Sequence, residues 1–363
     1  MKDLVPPHVE RMIPYRPGKP VEELERELGI KNAVKLASNE NPLGPSPKVV
    51  EALRSLASHT SRYPDGAAYE LRRAVADHHA VGMDEVCLGN GSNELIDLLP
   101  RTFVGAGEHV VFGKPSFVCY WLAATASGAE FTEVPLRDHL HWDVDALLAA
   151  VRPETKLLFV ANPNNPTGAY LGREDLSRLL TELPPQVVAV VDEAYVDFPD
   201  AEDYVSALEL RQLRERLIVL RTFSKAHGLA ALRVGYAIGD AALVGYLRRM
   251  RAPFNVNSFG QVAARIALAD PEHVAQYVAM NRSERRRVTS ALSELGLTVA
   301  PSQANFVLVD FARPGAEVYD ALLHQGVIVR PMAPPIDTWQ RITLGTPQEN
   351  DRLLAAIAAT TAT

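Results

Sequence analysis

The chain has 363 residues, of which 47% are hydrophobic and 22% charged, enough apolar material for one large core or two packed domains. Its 44 acidic side chains outnumber 37 basic ones, and the net charge of −7 argues against nucleic acid as a partner. The two cysteines, Cys87 and Cys119, lie far apart without metal-ligand spacing, so neither a disulfide framework nor a metal site is expected. Apolar runs such as 187–191 are strand-length, well short of the roughly 20 residues that cross a bilayer. The first seven residues lack the apolar stretch of a signal peptide, and a cytoplasmic protein without membrane contact is expected.

Residues 1–37 are Pro-rich and irregular apart from a helical stretch at Val21–Leu28, and read as an arm lying over another part of the chain. From residue 38 short apolar runs alternate with helical patterns. Strands are predicted at 86–88, 109–112, 156–160, 187–191, 217–220 and 235–238, each ending in small or polar residues. Helices are predicted between them, among others at Ser92–Phe103 and 173–183. This alternation predicts an α/β fold whose large domain, 38–245, has a mostly parallel sheet flanked by helices, with a ligand site at the carboxyl ends of the strands. After about residue 245 long helical stretches (261–268, 273–295) precede short strands (305–309, 327–329), which predicts a smaller α+β domain over 246–363 packed with the arm. Arg285-Arg286-Arg287 reads as a solvated helix face. His78-His79 reads as a solvated helix end, His139 and His141 as a surface turn, and 355–363 as a fraying helix end.

Four motifs follow predicted strands. Thr222-Phe223-Ser224-Lys225 places a lysine at a strand end, where burial and nearby positive charge would free its amine for attack on a carbonyl. Ser224 and Arg233, eight residues beyond the lysine, offer a hydroxyl and a guanidinium for a phosphate. Gly89-Asn90-Gly91-Ser92-Asn93 leads from a strand into a helix and is a second anion candidate. Asp192-Glu193-Ala194-Tyr195 ends the most apolar strand, and a carboxylate buried there needs a cation such as a protonated pyridine nitrogen. Tyr195, and Asn165 in Asn162-Pro163-Asn164-Asn165-Pro166-Thr167-Gly168, can bond the hydroxyl of such a ring. Each motif alone is an ordinary capped turn; together they fill different roles around one ligand.

As a set these residues resemble the fold-type I pyridoxal-phosphate (PLP) aminotransferases, and more closely the histidinol-phosphate aminotransferases. Further matches are Val34-Lys35-Leu36-Ala37-Ser38-Asn39-Glu40-Asn41-Pro42, Arg62-Tyr63-Pro64-Asp65-Gly66, Pro253-Phe254-Asn255-Val256-Asn257-Ser258 and Arg341-Ile342-Thr343-Leu344-Gly345, so the likeness runs from about Tyr15 to Asn350. The resemblance implies the PLP-dependent transferase fold and a catalytic Lys225 that joins PLP as a Schiff base and then moves the proton. It implies Asp192 at the ring nitrogen, Tyr195 and Asn165 at the ring oxygen, and Phe117 stacked on the ring where many relatives have tyrosine. Ser92, Asn93, Ser224 and Arg233 would hold the phosphate, with Tyr63 reaching in from the partner of a homodimer. Arg341, aided by Tyr15 and Arg330, would bind the anionic end of the substrate. The implied reaction is reversible transamination between L-histidinol phosphate and 2-oxoglutarate, giving imidazole-acetol phosphate and L-glutamate in histidine biosynthesis. An aromatic (phenylalanine) aminotransferase or a bifunctional enzyme is the alternative; a related decarboxylase and a PLP-binding protein without turnover fit less well. The segment 331–340, rich in proline and carrying Trp339 where relatives often have a Gly-containing loop, borders the substrate arginine and bears on substrate choice.

Overall fold

Apolar runs decide the architecture. In a computed structural model, which describes residues 4–14 and 18–361, strand β1 (Val34–Lys35) precedes a seven-stranded sheet. That sheet is built from β2 (Val86–Gly89), β3 (His109–Lys114), β4 (Glu130–Pro135), β5 (Thr155–Ala161), β6 (Val188–Asp192), β7 (Leu217–Thr222) and β8 (Gly235–Gly239). The spatial order is β2-β8-β7-β6-β5-β3-β4, and the four neighbouring pairs from β7 to β4 are all parallel. Only β8 runs against the rest, pairing antiparallel with both β7 and β2.

The central strands read as unbroken apolar runs because helices cover both faces: every residue of β6 is buried. Leu95, Ile96 and Leu99 from helix Ser92–Phe103 and Leu176, Leu179 and Leu180 from helix Arg173–Glu182 share its core. Edge strand β4 was not expected; it mixes Glu130, Thr132 and Glu133 with Phe131 and Val134, of which Val134 alone is buried, as suits a half-covered edge.

The C-terminal part forms a four-stranded antiparallel sheet from β9 (Thr298–Ala300), β10 (Phe306–Asp310), β12 (Arg330–Pro331) and β13 (Trp339–Thr343), in the order β12-β13-β10-β9. Strand β11 (Val327–Ile328) instead pairs with β1, tying the N-terminal segment to this part of the chain. Val256, Ala263, Ala264 and Ala267, though beyond residue 245, pack with Leu71, Val86 and Phe223 beside the large sheet.

The charged helix face expected at 285–287 is partly interior. Arg285 is 6% exposed and bonds Asp200 at 2.5 Å, a guanidinium buried against a carboxylate from another segment, whereas Arg286 and Arg287 are exposed as expected. His79 is half-buried with Nε2 at 2.9 Å from the Tyr236 hydroxyl, whereas His78 is exposed as expected. The last helix, Pro347–Thr361, does not fray at 355, because Ala356 and Ile357 are buried in the small-sheet core. Among the described residues no helix is long and apolar enough to cross a membrane.

Candidate active site

The carboxyl ends of β5, β6 and β7 and the start of β8 surround a cavity of about 420 Å³. Eleven residues singled out from the sequence line it: Ser92, Asn93, Phe117, Asn165, Asp192, Tyr195, Ser224, Lys225, Arg233, Arg330 and Arg341. Tyr63 does not line its own chain's cavity; it is 82% exposed and stacks on Phe254 at 4.8 Å. Tyr15 lies outside the described residues.

Lys225 leaves the sheet three residues after β7, and its Nζ donates to the Ser38 carbonyl at 3.0 Å. Burial lowers its pKa to about 8, helped by the positive charges of Arg341 and Arg233 and opposed by Glu40 and Asp192. Near neutral pH a useful fraction of the amine is therefore free. Below about 8 that fraction grows about tenfold per pH unit. The rate at which the unloaded protein captures PLP, followed by absorbance, is expected to climb in this way and level off above about pH 8. A rate still climbing at the ordinary lysine value would contradict the lowered pKa.

Asp192, at the end of β6, is 3% exposed and accepts hydrogen bonds from the Tyr120 hydroxyl at 2.8 Å and the Ala194 N–H at 3.1 Å. Burial raises its pKa to about 6. Its neighbour Glu193 points away, accepting from Ser206 and pairing with Arg221 at 2.8 Å behind the site. Asp192 is thus the buried carboxylate left facing the cavity.

At another wall Gly91 opens helix Ser92–Phe103 with φ of +77°, and a Cβ there would meet the Arg233 Nη2 at 2.5 Å. A second glycine, Gly235, brings β8 against the Ser92 N–H, where a Cβ would stand 2.4 Å away. Arg233 itself has φ of +56°, a backbone strain that holds its guanidinium beside the helix start. Ser224 lies beside Thr222, whose hydroxyl donates to it at 2.9 Å.

On the remaining side Arg341, on β13, donates to the Asn165 Oδ1 and the Ala37 carbonyl, each at 2.6 Å. Tyr195 is 4% exposed, and its hydroxyl accepts from the Asn39 Nδ2 at 2.9 Å. Asn39 is fixed in turn by Thr343 at 3.0 Å, so the N-terminal segment straps the cavity to the small sheet. Asn39, Glu40 and Tyr120 were given no role from the sequence. Asn39 and Glu40 lie within a matched stretch, but Tyr120 sits in an apolar helix with nothing to set it apart. Trp339 does not line the cavity; it packs with Met332 and Ile336 in a separate cluster, so its bulk is kept from the substrate space.

The pattern of the aminotransferase class I and II family matches residues 31–357. The chain is 48% identical to a histidinol-phosphate aminotransferase of Anaeromyxobacter over 98% of both chains. It is 46% identical to histidinol-phosphate aminotransferase 2 of Pseudomonas aeruginosa, covering 98% of this chain and 96% of the other. The crystal structure of histidinol-phosphate aminotransferase from Sinorhizobium meliloti in complex with pyridoxal-5'-phosphate superposes with a TM-score of 0.90 at 29% identity, covering 99% of this chain and 98% of that one. The cavity fits this cofactor: a buried carboxylate that calls for a cation, a helix start with an arginine suited to a phosphate, and an amine of lowered pKa line the same space. The chain belongs to the class I and II aminotransferases, PLP-dependent transferases, and within them to the histidinol-phosphate aminotransferases.

Proposed function

We infer that the enzyme moves an amino group reversibly between L-histidinol phosphate and 2-oxoglutarate, yielding imidazole-acetol phosphate and L-glutamate in histidine biosynthesis, as a cytoplasmic homodimer. The observation that carries this reading is the convergence of Lys225, Asp192 and Arg341 on one cavity. Bound there, PLP supplies the carbonyl that takes up the amino group and the ring that draws off the electron pair left at the donor's Cα.

The chain's own residues do the rest. Lys225 anchors the cofactor between turnovers; once released, its Nζ takes the proton from the donor's Cα and later delivers one to the acceptor's Cα. Asp192 holds the positive charge of the ring nitrogen. Ser92, Asn93, Ser224 and Arg233 grip the phosphate, combining a helix start with a guanidinium. Phe117 covers one face of the ring, and Tyr195 and Asn165 bond its oxygen. Arg341 takes the substrate's anionic group, carboxylate or phosphate in turn, with Arg330 and Tyr15 assisting.

Tyr63 completes the phosphate site of the partner subunit. This is supported by its exposure and by the exposed Phe254 on which it stacks, an apolar pair suited to a second copy of the chain. Subunit mixing tests activity and sharing together. At limiting PLP, with histidinol phosphate and 2-oxoglutarate, a mixture of Lys225→Ala protein, nearly silent alone, and Tyr63→Ala protein, weakened in its hold on PLP, should exceed the mean of the two unmixed proteins, because half of the random dimers then hold one intact site. Wild-type protein without turnover would remove the reaction; active wild type without recovery on mixing would remove the shared site.

A further inference from the structure

The carboxylate read as partner of the ring nitrogen is held from below. Tyr120 is fully buried; its hydroxyl donates to the Asp192 Oδ2 at 2.8 Å. Its ring stacks on Phe159 of β5 at 4.9 Å and meets Phe117 edge-on at 5.8 Å. Phe117 lines the cavity and caps helix Val118–Ala126, and Tyr120 lies in the first turn of that helix. One helix start therefore brings an aromatic face to the cavity and a hydroxyl to the carboxylate at its floor. Phenylalanine would fill the same apolar space, whereas a buried phenol must find an acceptor. The other titratable groups acting on Asp192 are Glu193, turned toward Arg221, and Lys225, Tyr195 and Cys119. Among the described residues the Tyr120 hydroxyl and the Ala194 N–H donate to the carboxylate.

We propose that Tyr120 is a positioning residue for the cofactor: its hydroxyl orients the Asp192 carboxylate and keeps it ionised beneath the ring nitrogen, and so governs how firmly PLP is held and how fully its ring stays protonated. The proposal rests on the reading of Asp192 as counter-ion. Burial raises the Asp192 pKa, and the Tyr120 donation opposes that rise. The phenol is kept well above its ordinary pKa by burial and by Asp192, so it remains a donor at working pH.

The test is a double-mutant cycle on the PLP-loaded enzyme with Tyr120→Phe, Asp192→Asn and the pair together. Two quantities are read: the PLP dissociation constant, and the pH midpoint of the cofactor's visible absorption. Tyr120→Phe is expected to weaken PLP binding about tenfold, the scale of one lost hydrogen bond to a charged group. It is also expected to move the absorption midpoint upward, because a less protonated ring would draw less electron density from the Lys225 Nζ. In the Asp192→Asn background the same change should add little to either quantity. Wild-type values in Tyr120→Phe, or an equal loss in both backgrounds, would assign Tyr120 to packing alone. If Asp192→Asn itself moves neither quantity, the counter-ion reading fails and this inference with it. If Asp192→Asn moves both and Tyr120→Phe neither, only the role of Tyr120 falls.

Discussion

Lys225→Ala is expected to lower kcat for transamination by about 10⁴-fold or more, because one side chain performs both covalent anchoring and proton transfer. The proposed phosphate contacts of Ser92, Asn93, Ser224 and Arg233 would remain, so the variant should still bind PLP. The loss then falls on the chemical step, and higher PLP concentration should not restore it. Among the described residues of the cavity lining Lys225 is the lysine, and its neighbours Arg233 and Arg341 carry guanidiniums that stay protonated. Steady-state turnover with histidinol phosphate and 2-oxoglutarate, at saturating PLP, is the check. Activity within tenfold of wild type would mean that another group moves the proton.

Asp192→Asn should be the second most damaging change, with kcat falling about 10³-fold at nearly unchanged volume, a loss on the scale of removing a preorganised electrostatic partner. An amide at this place still accepts from Tyr120 and the Ala194 N–H, so local packing survives. What it lacks is negative charge to keep the ring nitrogen protonated, and without that charge the ring draws electrons from Cα poorly. Glu193 cannot substitute, since it faces Arg221 and Ser206 on the other side of the strand. The decisive comparison is single-turnover conversion of the PLP-loaded variant by histidinol phosphate against wild type. A rate within a few fold would show that ring protonation does not limit the reaction.

Much of this site could be read along the chain because its parts follow apolar strands. Buried on both faces, β5, β6 and β7 appear as continuous hydrophobic runs, and the polar residues at their ends, Asn165, Asp192 and Lys225, stand out against them. Edge strand β4 and the β12–β13 pair escaped because their polar-rich or proline-containing segments resemble loops. The contacts that brace the site were hidden for a different reason. Asn39 meets Tyr195 across 156 positions, and Tyr120 meets Asp192 across 72; pairings at that range leave no local periodicity. Arg285 shows the limit of composition, since its basic run looked solvated until Asp200, 85 positions away, was placed beside it.

Amino transfer from histidinol phosphate can be tested against amino transfer from an aromatic amino acid. The most direct measurement compares kcat/KM of the purified PLP-loaded enzyme for L-histidinol phosphate and for phenylalanine, each with 2-oxoglutarate. A preference for histidinol phosphate of about tenfold or more, roughly 1.4 kcal/mol of transition-state discrimination, is expected. Equal values, or a preference for phenylalanine, would contradict the assigned substrate and leave the cofactor chemistry in place.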